Sequence, residues 1–371
     1  MAYLTLLLEA KVWTSSAWGA IINLFSFIGN YGWMIIVFTV CLKLVLSPFD
    51  FMQKHTAQKN QKMMAIMQPE LDKIQKKYGD NKEMIQQKQM EIYKKHNYNL
   101  VGSCLLMLVG MAVPMFIFFS LFSSLNQISA IKIYNQYDAL KLGYNTEYTR
   151  QIDEGASEEQ ATASAQEYVL KLYNTEEKES WLWIDNVWKG DKATSIVPTY
   201  KEYLSFIANA LTEEEAAALE ARSEEQIKAD EDEYNKVMAS ISAQETGWNG
   251  YYILSIVAGL VTYLTSWLAQ RASKNKVKDE LKAEKKNVSD EQVATSGVNG
   301  VMTFVLPIIM VIFTLTSNAV FSLYIIVSSL MGMALQPLFN LIFKAIDKKA
   351  ESNKKKVTVG ATDYSRDKLF K

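Results

Sequence analysis

A single lysine, Lys43, stands inside the apolar stretch Gly32 to Met52, GWMIIVFTVCLKLVLSPFDFM. Twenty-one helical residues rise roughly 30 Å, the thickness of a bilayer's hydrocarbon core. Lys43 lies ten residues past Trp33 and nine before Met52, so about 14 Å of helix separates it from either interface. A lysine snorkels only a few ångströms, and a stranded charge costs roughly 3 kcal/mol on insertion scales. Steps of four, four and three residues from Thr39 reach Lys43, Ser47 and Asp50, which puts all four on one helix face. Two readings follow. In one, the stripe lines a wet cavity whose positive charge receives an acidic ligand; in the other, Lys43 is buried for packing and satisfied by hydroxyls and carbonyls. An ionisable group at membrane depth favours the first.

The elements around that stripe are read from where charge is absent. On averages, 371 residues with 49% hydrophobic content and a mean hydropathy of -0.04 resemble a large soluble protein. The distribution says otherwise: residues 100–131, 251–270 and 292–343 contain no Asp, Glu, Lys or Arg. The last stretch is too long for one helix and holds the turn-like Thr316-Ser317-Asn318, so with 32–52 the pattern predicts five membrane spans. Cys41 and Cys104 fall within or at the edge of spans, and His55 and His96 are the only histidines. No disulfide framework, metal spacing or catalytic constellation follows from them, so no cofactor, metal or enzymatic activity is expected.

In order, residues 1–31 form an N-terminal segment. Its opening, MAYLTLLLEAKVW, lacks a basic start, a small-residue cleavage site and a cysteine for lipid attachment, so it makes a poor signal peptide. From Ala17, residues Trp18, Ile21, Ile22, Leu24, Phe25 and Ile28 predict an interfacial amphipathic helix stopped by Gly29-Asn30; a simple extension of the first span is the alternative. Residues 32–52 are the first span. Residues 53–98 carry ten lysines against five acids, with Gly79-Asp80 between two helical arms, and predict a helical hairpin standing in water. Met64, Met67, Leu71, Ile74 and Tyr78 form a seam suited to a partner helix, a solvated charged face being the alternative. The second span, 99–126, contains Pro114, which lipid-embedded helices tolerate. Residues 127–249 hold 24 acids and 11 basic residues and predict an acidic helical domain. Within it Thr212 and Glu215 match a capping box before a helix running toward Ser240, and Trp181, Trp183 and Trp188 suit the headgroup level. Residues 250–270 are the third span, 271–299 a loop, 300–318 and 319–343 the fourth and fifth spans, and 344–371 a tail with nine basic residues and four acids. Lysine concentrates in the hairpin, the loop and the tail. By the positive-inside rule these are cytoplasmic, leaving the N-terminus and the acidic domain outside and the C-terminus inside.

The order of motifs resembles the YidC/Oxa membrane protein insertases. Asn30-Tyr31-Gly32-Trp33, Phe38-Thr39 and Lys43 five residues before Pro48 resemble that family's first core segment. Met67-Gln68-Pro69 to Tyr78, Tyr93-Lys94-Lys95-His96, Gly102-Ser103-Cys104, Trp181 to Trp188, and Leu323-Tyr324-Ile325-Ile326-Val327-Ser328-Ser329 resemble further motifs in the same order. The resemblance implies an all-α polytopic membrane protein whose five transmembrane helices enclose a hydrophilic groove, open to cytoplasm and lipid and closed toward the outside. The family's groove arginine falls on Lys43, which keeps the charge but loses bidentate pairing. Gly110-Met111-Ala112 stands where the family has Gln-Met-Pro, and residues 127 to about 180 look inserted.

The expectation is therefore an insertase or chaperone that draws nascent transmembrane segments into a positively charged groove and releases them into the bilayer of a bacterial plasma membrane. Lys43 is the expected attractor, with Thr39, Ser47, Tyr324 and Ser328 as groove-lining residues; Tyr324 and Ser328 are four apart and share a face. The expected partners are nascent membrane proteins and lipid, the ribosome and targeting factors at the hairpin and basic tail, and a Sec translocon if it does not act alone. Anionic lipid is the alternative partner of the tail. Two other classes stay open, a small-anion transporter using Lys43 and a membrane scaffold displaying the acidic domain. The transporter would be expected to show repeats in matched halves, and none is visible.

Overall fold

The changes of composition that divide the sequence do not end its helices. A computed structural model describes residues 17–79, 81–208, 217–219, 221–283 and 299–366. Helix α1 is Ala17–Asn23, followed by a 3-10 turn at Ser26–Ile28. Then come α2 (Tyr31–Tyr78), α3 (Lys82–Lys95), α4 (Leu100–Asp153), α5 (Glu158–Leu172), α6 (Tyr200–Ile207), α7 (Glu224–Gln244), α8 (Ile253–Ala283), α9 (Asn299–Thr316) and α10 (Ala319–Arg366). Thus α2 runs unbroken from the first apolar stretch into the lysine-rich arm. Helices α4, α8 and α10 likewise continue from apolar into charged sequence. A shift from apolar to charged residues reports the surroundings of a helix, while its end requires a breaker or a cap.

Breakers act where the backbone needs them. Gly29 adopts a φ of +79°, and the Asn30 side chain accepts a hydrogen bond from Trp33 N at 3.3 Å, so α1 is a separate helix and not an extension of α2. Gly79, at a φ of +51°, ends α2, and the Asn81 side chain caps α3 through Met84 N at 3.1 Å. Pro48 lies inside α2 and withholds the N–H that Leu44 O would otherwise receive. Ser47 Oγ donates to that oxygen at 2.8 Å, repairing the backbone as membrane helices do around proline. Ser47→Ala is expected to lower stability by about 1 kcal/mol, read as a lower thermal midpoint in detergent; an unchanged midpoint would remove this role.

Four helices are long and apolar enough to cross a membrane, within Tyr31–Tyr78, Ala112–Asp153, Ile253–Asp279 and Ala319–Ile346; the apolar helix Phe304–Thr316 is shorter. The chain is an all-α polytopic membrane protein. It forms two compact units. The first contains the described residues up to Leu42, with Ala112–Tyr263 and Phe304–Ser328; the second contains Lys43–Met111, the described part of 264–303 and the described residues from Ser329.

In the first unit Ile35, Phe38, Leu121, Leu125, Ile128 and Phe321 are fully buried. Phe122 packs edge-on against Phe321 at 4.8 Å and Phe313 at 5.5 Å between ring centroids, whereas Phe116 points outward, 74% exposed. Helix α1 buries Ile22 completely, and Trp18 Nε1 donates to Ser120 Oγ at 2.8 Å. The acidic stretch folds on the extension of α4. Ala161, Ala165 and Val169 of α5 and Tyr234, Val237 and Ile241 of α7 supply its buried face. Capping boxes at Ser157/Gln160, Thr199/Glu202 and Ser223/Gln226 start α5, α6 and α7. The box predicted at Thr212 and Glu215 lies outside the described residues; the helix that reaches Ser240 begins at Glu224, capped by Ser223.

The segment between α5 and α6 binds several helix ends. Asp191, 2% exposed, accepts from Tyr251 N at 2.7 Å and Leu254 N at 2.5 Å at the start of α8. Asn249 donates to Asn186 O and Gly190 O, both at 2.9 Å. Ala319 N, at the start of α10, donates to Lys189 O at 2.8 Å. Trp188 belongs to this core, its ring 4.4 Å from Tyr31, so it is not the headgroup anchor its sequence position suggested. Trp181 lies over Gly32, where a Cβ would fall 2.4 Å from the indole.

In the second unit the predicted seam finds its partner in α3: Met67, Leu71 and Ile92 are buried together, with Met64, Ile74, Tyr93 and Tyr98 against them. Glu70 closes the hairpin by pairing with Lys95 at 2.9 Å and His96 at 3.2 Å. Those contacts hold its carboxyl below the usual carboxylate range. Lys59, Lys73, Lys76, Lys77, Lys82 and Lys94 remain exposed.

Candidate functional site

The lysine of the first apolar stretch has a charged neighbour. Lys43 Nζ lies 3.8 Å from Asp50 Oδ2, and both side chains are 21% exposed. Seven residues are two turns of α2, which brings the two onto one face. At that distance the ammonium and carboxylate attract each other without a short hydrogen bond, so the pair is loose. One turn beyond Asp50, Lys54 Nζ donates to Gln336 Oε1 at 2.8 Å and sits 5.0 Å from the Phe339 ring centroid, a cation–π contact. Phe51 packs edge-on to Phe339 at 5.5 Å and stacks on Phe343 at 4.6 Å. Lys276 lies 4.6 Å from the Phe343 centroid and donates to Gln58 Oε1 at 3.2 Å. A layer of cations, amides and aromatic rings, drawn from α2, α8 and α10, thus borders the Lys43–Asp50 pair within the second unit.

The other predicted residues are placed as follows. Ser47 is in the second unit, half-buried, its hydroxyl engaged with Leu44 O. Thr39, Tyr324 and Ser328 belong to the first unit. Thr39 is fully buried and donates to Ile35 O at 2.6 Å. Tyr324 is 6% exposed, with its ring centroid 5.9 Å from that of Phe321; Ser328 is half-buried. The side chains of Gly110, Met111 and Cys104 fall outside the described residues. Sequence reasoning placed Asp50 on the stripe without making it the partner of Lys43, and it passed over Lys54 and Gln336. The signals were present: an acid four residues before a lysine on a helix, and a glutamine in the charge-free stretch 292–343.

Among the described residues no group of three His, Cys, Asp or Glu is placed to hold a metal ion. What the arrangement offers is electrostatic: two ammonium groups and one carboxylate, net +1, on one face of α2, with the Lys276 ammonium of α8 beside the Phe343 ring.

The family described as "60Kd inner membrane protein" matches residues 23–346. Among curated relatives, the "Membrane protein insertase YidC" of Fusobacterium nucleatum subsp. nucleatum is 39% identical over 87 residues, 24% of this chain and 40% of the relative. The protein of the same name from Leptospira interrogans serogroup Icterohaemorrhagiae serovar Lai is 42% identical over 90 residues, 24% of this chain and 13% of the relative. That of Nitratidesulfovibrio vulgaris (strain DSM 19637 / Miyazaki F) is 37% identical over 107 residues, 29% of this chain and 18% of the relative. The aligned part of the chain thus spans between 13% and 40% of the length of these relatives.

Proposed function

The chain belongs to the 60Kd inner membrane protein family, and on that premise we propose that it is a membrane protein insertase, as its relatives are named. A nascent span with an acidic tail enters a hydrophilic groove from the cytoplasm, its carboxylate drawn to Lys43, and the helix then passes sideways into lipid. The gain is physical: polar groups are desolvated over a shorter path when half the crossing is wet. The single observation that carries this reading is the Lys43 ammonium within an apolar stretch of α2, loosely paired with the Asp50 carboxylate at 3.8 Å. In this reading the half-buried Ser47 and Ser328 line the groove with the buried Thr39 and Tyr324 in its wall behind them, five spans place the N-terminus and acidic domain outside a bacterial plasma membrane, and no bond-making chemistry is involved. The exposed lysines of the α2–α3 hairpin and the basic tail receive the ribosome and targeting factors, whose RNA and acidic surfaces are anionic, and the protein works alone or beside a Sec translocon.

The test uses a photo-activatable crosslinker at Ser47 and, separately, at Val45, which is 75% exposed. Thr39 is unsuitable because it is fully buried. Ribosome-bound chains carrying one short membrane segment are then presented. Crosslinking is expected from Ser47 well above Val45, to fall roughly tenfold in Lys43→Ala, equivalent to about 1.4 kcal/mol, and to persist in Lys43→Arg. Equal labelling from both positions, indifferent to Lys43, would overturn the proposal in favour of the scaffold.

A further inference from the structure

The Lys43–Asp50 pair raises a question that the insertase reading leaves open: an attractor already facing a carboxylate has to give it up before it attracts another. Lys54 supplies the answer. It lies four residues after Asp50, the order that favours an acid–lysine contact along a helix, and its ammonium feels both Asp50 and Lys43. At rest it is engaged elsewhere, with Gln336 at 2.8 Å and the Phe339 ring at 5.0 Å. Both contacts are with uncharged partners, so neither offsets the ammonium charge. Asp50 therefore has two cations within two turns of one helix face, one at 3.8 Å and one a turn away.

Resting on the proposed function, we infer that Asp50 is the resident counter-ion of Lys43, and that Lys54 accepts Asp50 when an acidic side chain of the entering segment pairs with Lys43. The exchange gains one ion pair. Before entry the three groups carry net +1 with one pair made; afterwards two pairs are made and the set with its guest is neutral. Lys43, the ammonium within the apolar stretch, faces a carboxylate at both stages, and an unpaired charge there is the costly condition. Asp50 and Lys54 are thus positioning residues that set how acidic a segment must be to displace the resident carboxylate.

The experiment uses the full chain reconstituted in vesicles of phosphatidylethanolamine and phosphatidylglycerol, with single-span substrates whose tails carry none, one or two acidic residues. Insertion is read by protease protection. Lys54→Gln leaves Asp50 without a second cation and reduces insertion of acidic tails roughly tenfold while sparing the neutral tail. Asp50→Asn raises the set to +2, so a one-acid tail inserts as a two-acid tail does in the unmodified protein. The double variant, again net +1 without a resident carboxylate, returns acidic-tail insertion to within about twofold of the unmodified protein, and Lys54→Arg retains it. A merely structural role does not restore function on adding a second lesion. Equal loss for acidic and neutral tails in the single and double variants, or an unchanged dependence on tail charge, overturns the exchange while the insertase reading stands. An unmodified protein that inserts no tail above protein-free vesicles overturns both.

Discussion

Above about pH 10 the acidic domain is expected to unfold steeply, driven by a cluster of tyrosines. Tyr137 and Tyr234 lie 4.8 Å apart, Tyr137 and Tyr203 5.0 Å, Tyr203 and Tyr234 5.2 Å, and Tyr200 and Tyr234 5.5 Å between ring centroids. Tyr200, Tyr203 and Tyr234 are buried, and Tyr234 donates to Pro198 O at 2.8 Å. Burial, with smaller contributions from neighbouring phenols and carboxylates, raises the phenol of each above its ordinary value; beside Tyr200 the Arg222 guanidinium opposes the rise. A group whose folded pKa is raised contributes its full stability below the unfolded value and loses it as pH rises beyond. Three buried phenols would each remove up to about 1.4 kcal/mol per pH unit above pH 10, roughly 4 kcal/mol together. Lys189 acts in the opposite sense. Burial lowers its pKa, so the folded state gains stability as pH rises toward the ordinary lysine value. The check is parallel titration of tyrosinate absorbance and helical circular dichroism. The two should change together above pH 10, and Tyr234→Phe should flatten the transition. Tyrosinate appearing at its ordinary pH with helix content intact would remove the cluster from the account.

Removing the Asp191 carboxylate is expected to cost about 2–4 kcal/mol. In Asp191→Ala the N–H groups of Tyr251 and Leu254 lose a buried charged acceptor, and the start of α8 loses the negative charge that its dipole favours. Gly250→Ala is expected to act through the same contact, because an added Cβ would fall 1.9 Å from Asp191 Oδ1 and 2.7 Å from Asp191 Cα. The second of those atoms is backbone and cannot turn aside. Asp191→Asn, which keeps one acceptor, should lie between Asp191→Ala and the unmodified protein. Thermal midpoints in detergent decide the matter. A Gly250→Ala protein as stable as the parent would show that the segment shifts freely, and that Asp191 does not hold it.

What the residues alone determined concerns solvent and charge. Lys43 among apolar neighbours, the charge-free stretches and the hairpin seam at Met64, Met67, Leu71 and Ile74 were legible because helical spacing and the cost of burying charge are local rules. The all-α membrane class followed from them. Helix ends at composition shifts were misleading, since a helix tolerates either kind of side chain and α2 continues unbroken from apolar into lysine-rich sequence. Only the tertiary structure decided which partner each polar group takes. Gln336 reaches Lys54 across 282 residues, and Asp191 caps a helix about sixty residues on. Trp188 is drawn into the core by Tyr31. These pairings depend on distances between segments far apart in the chain, and no periodicity within one segment encodes them.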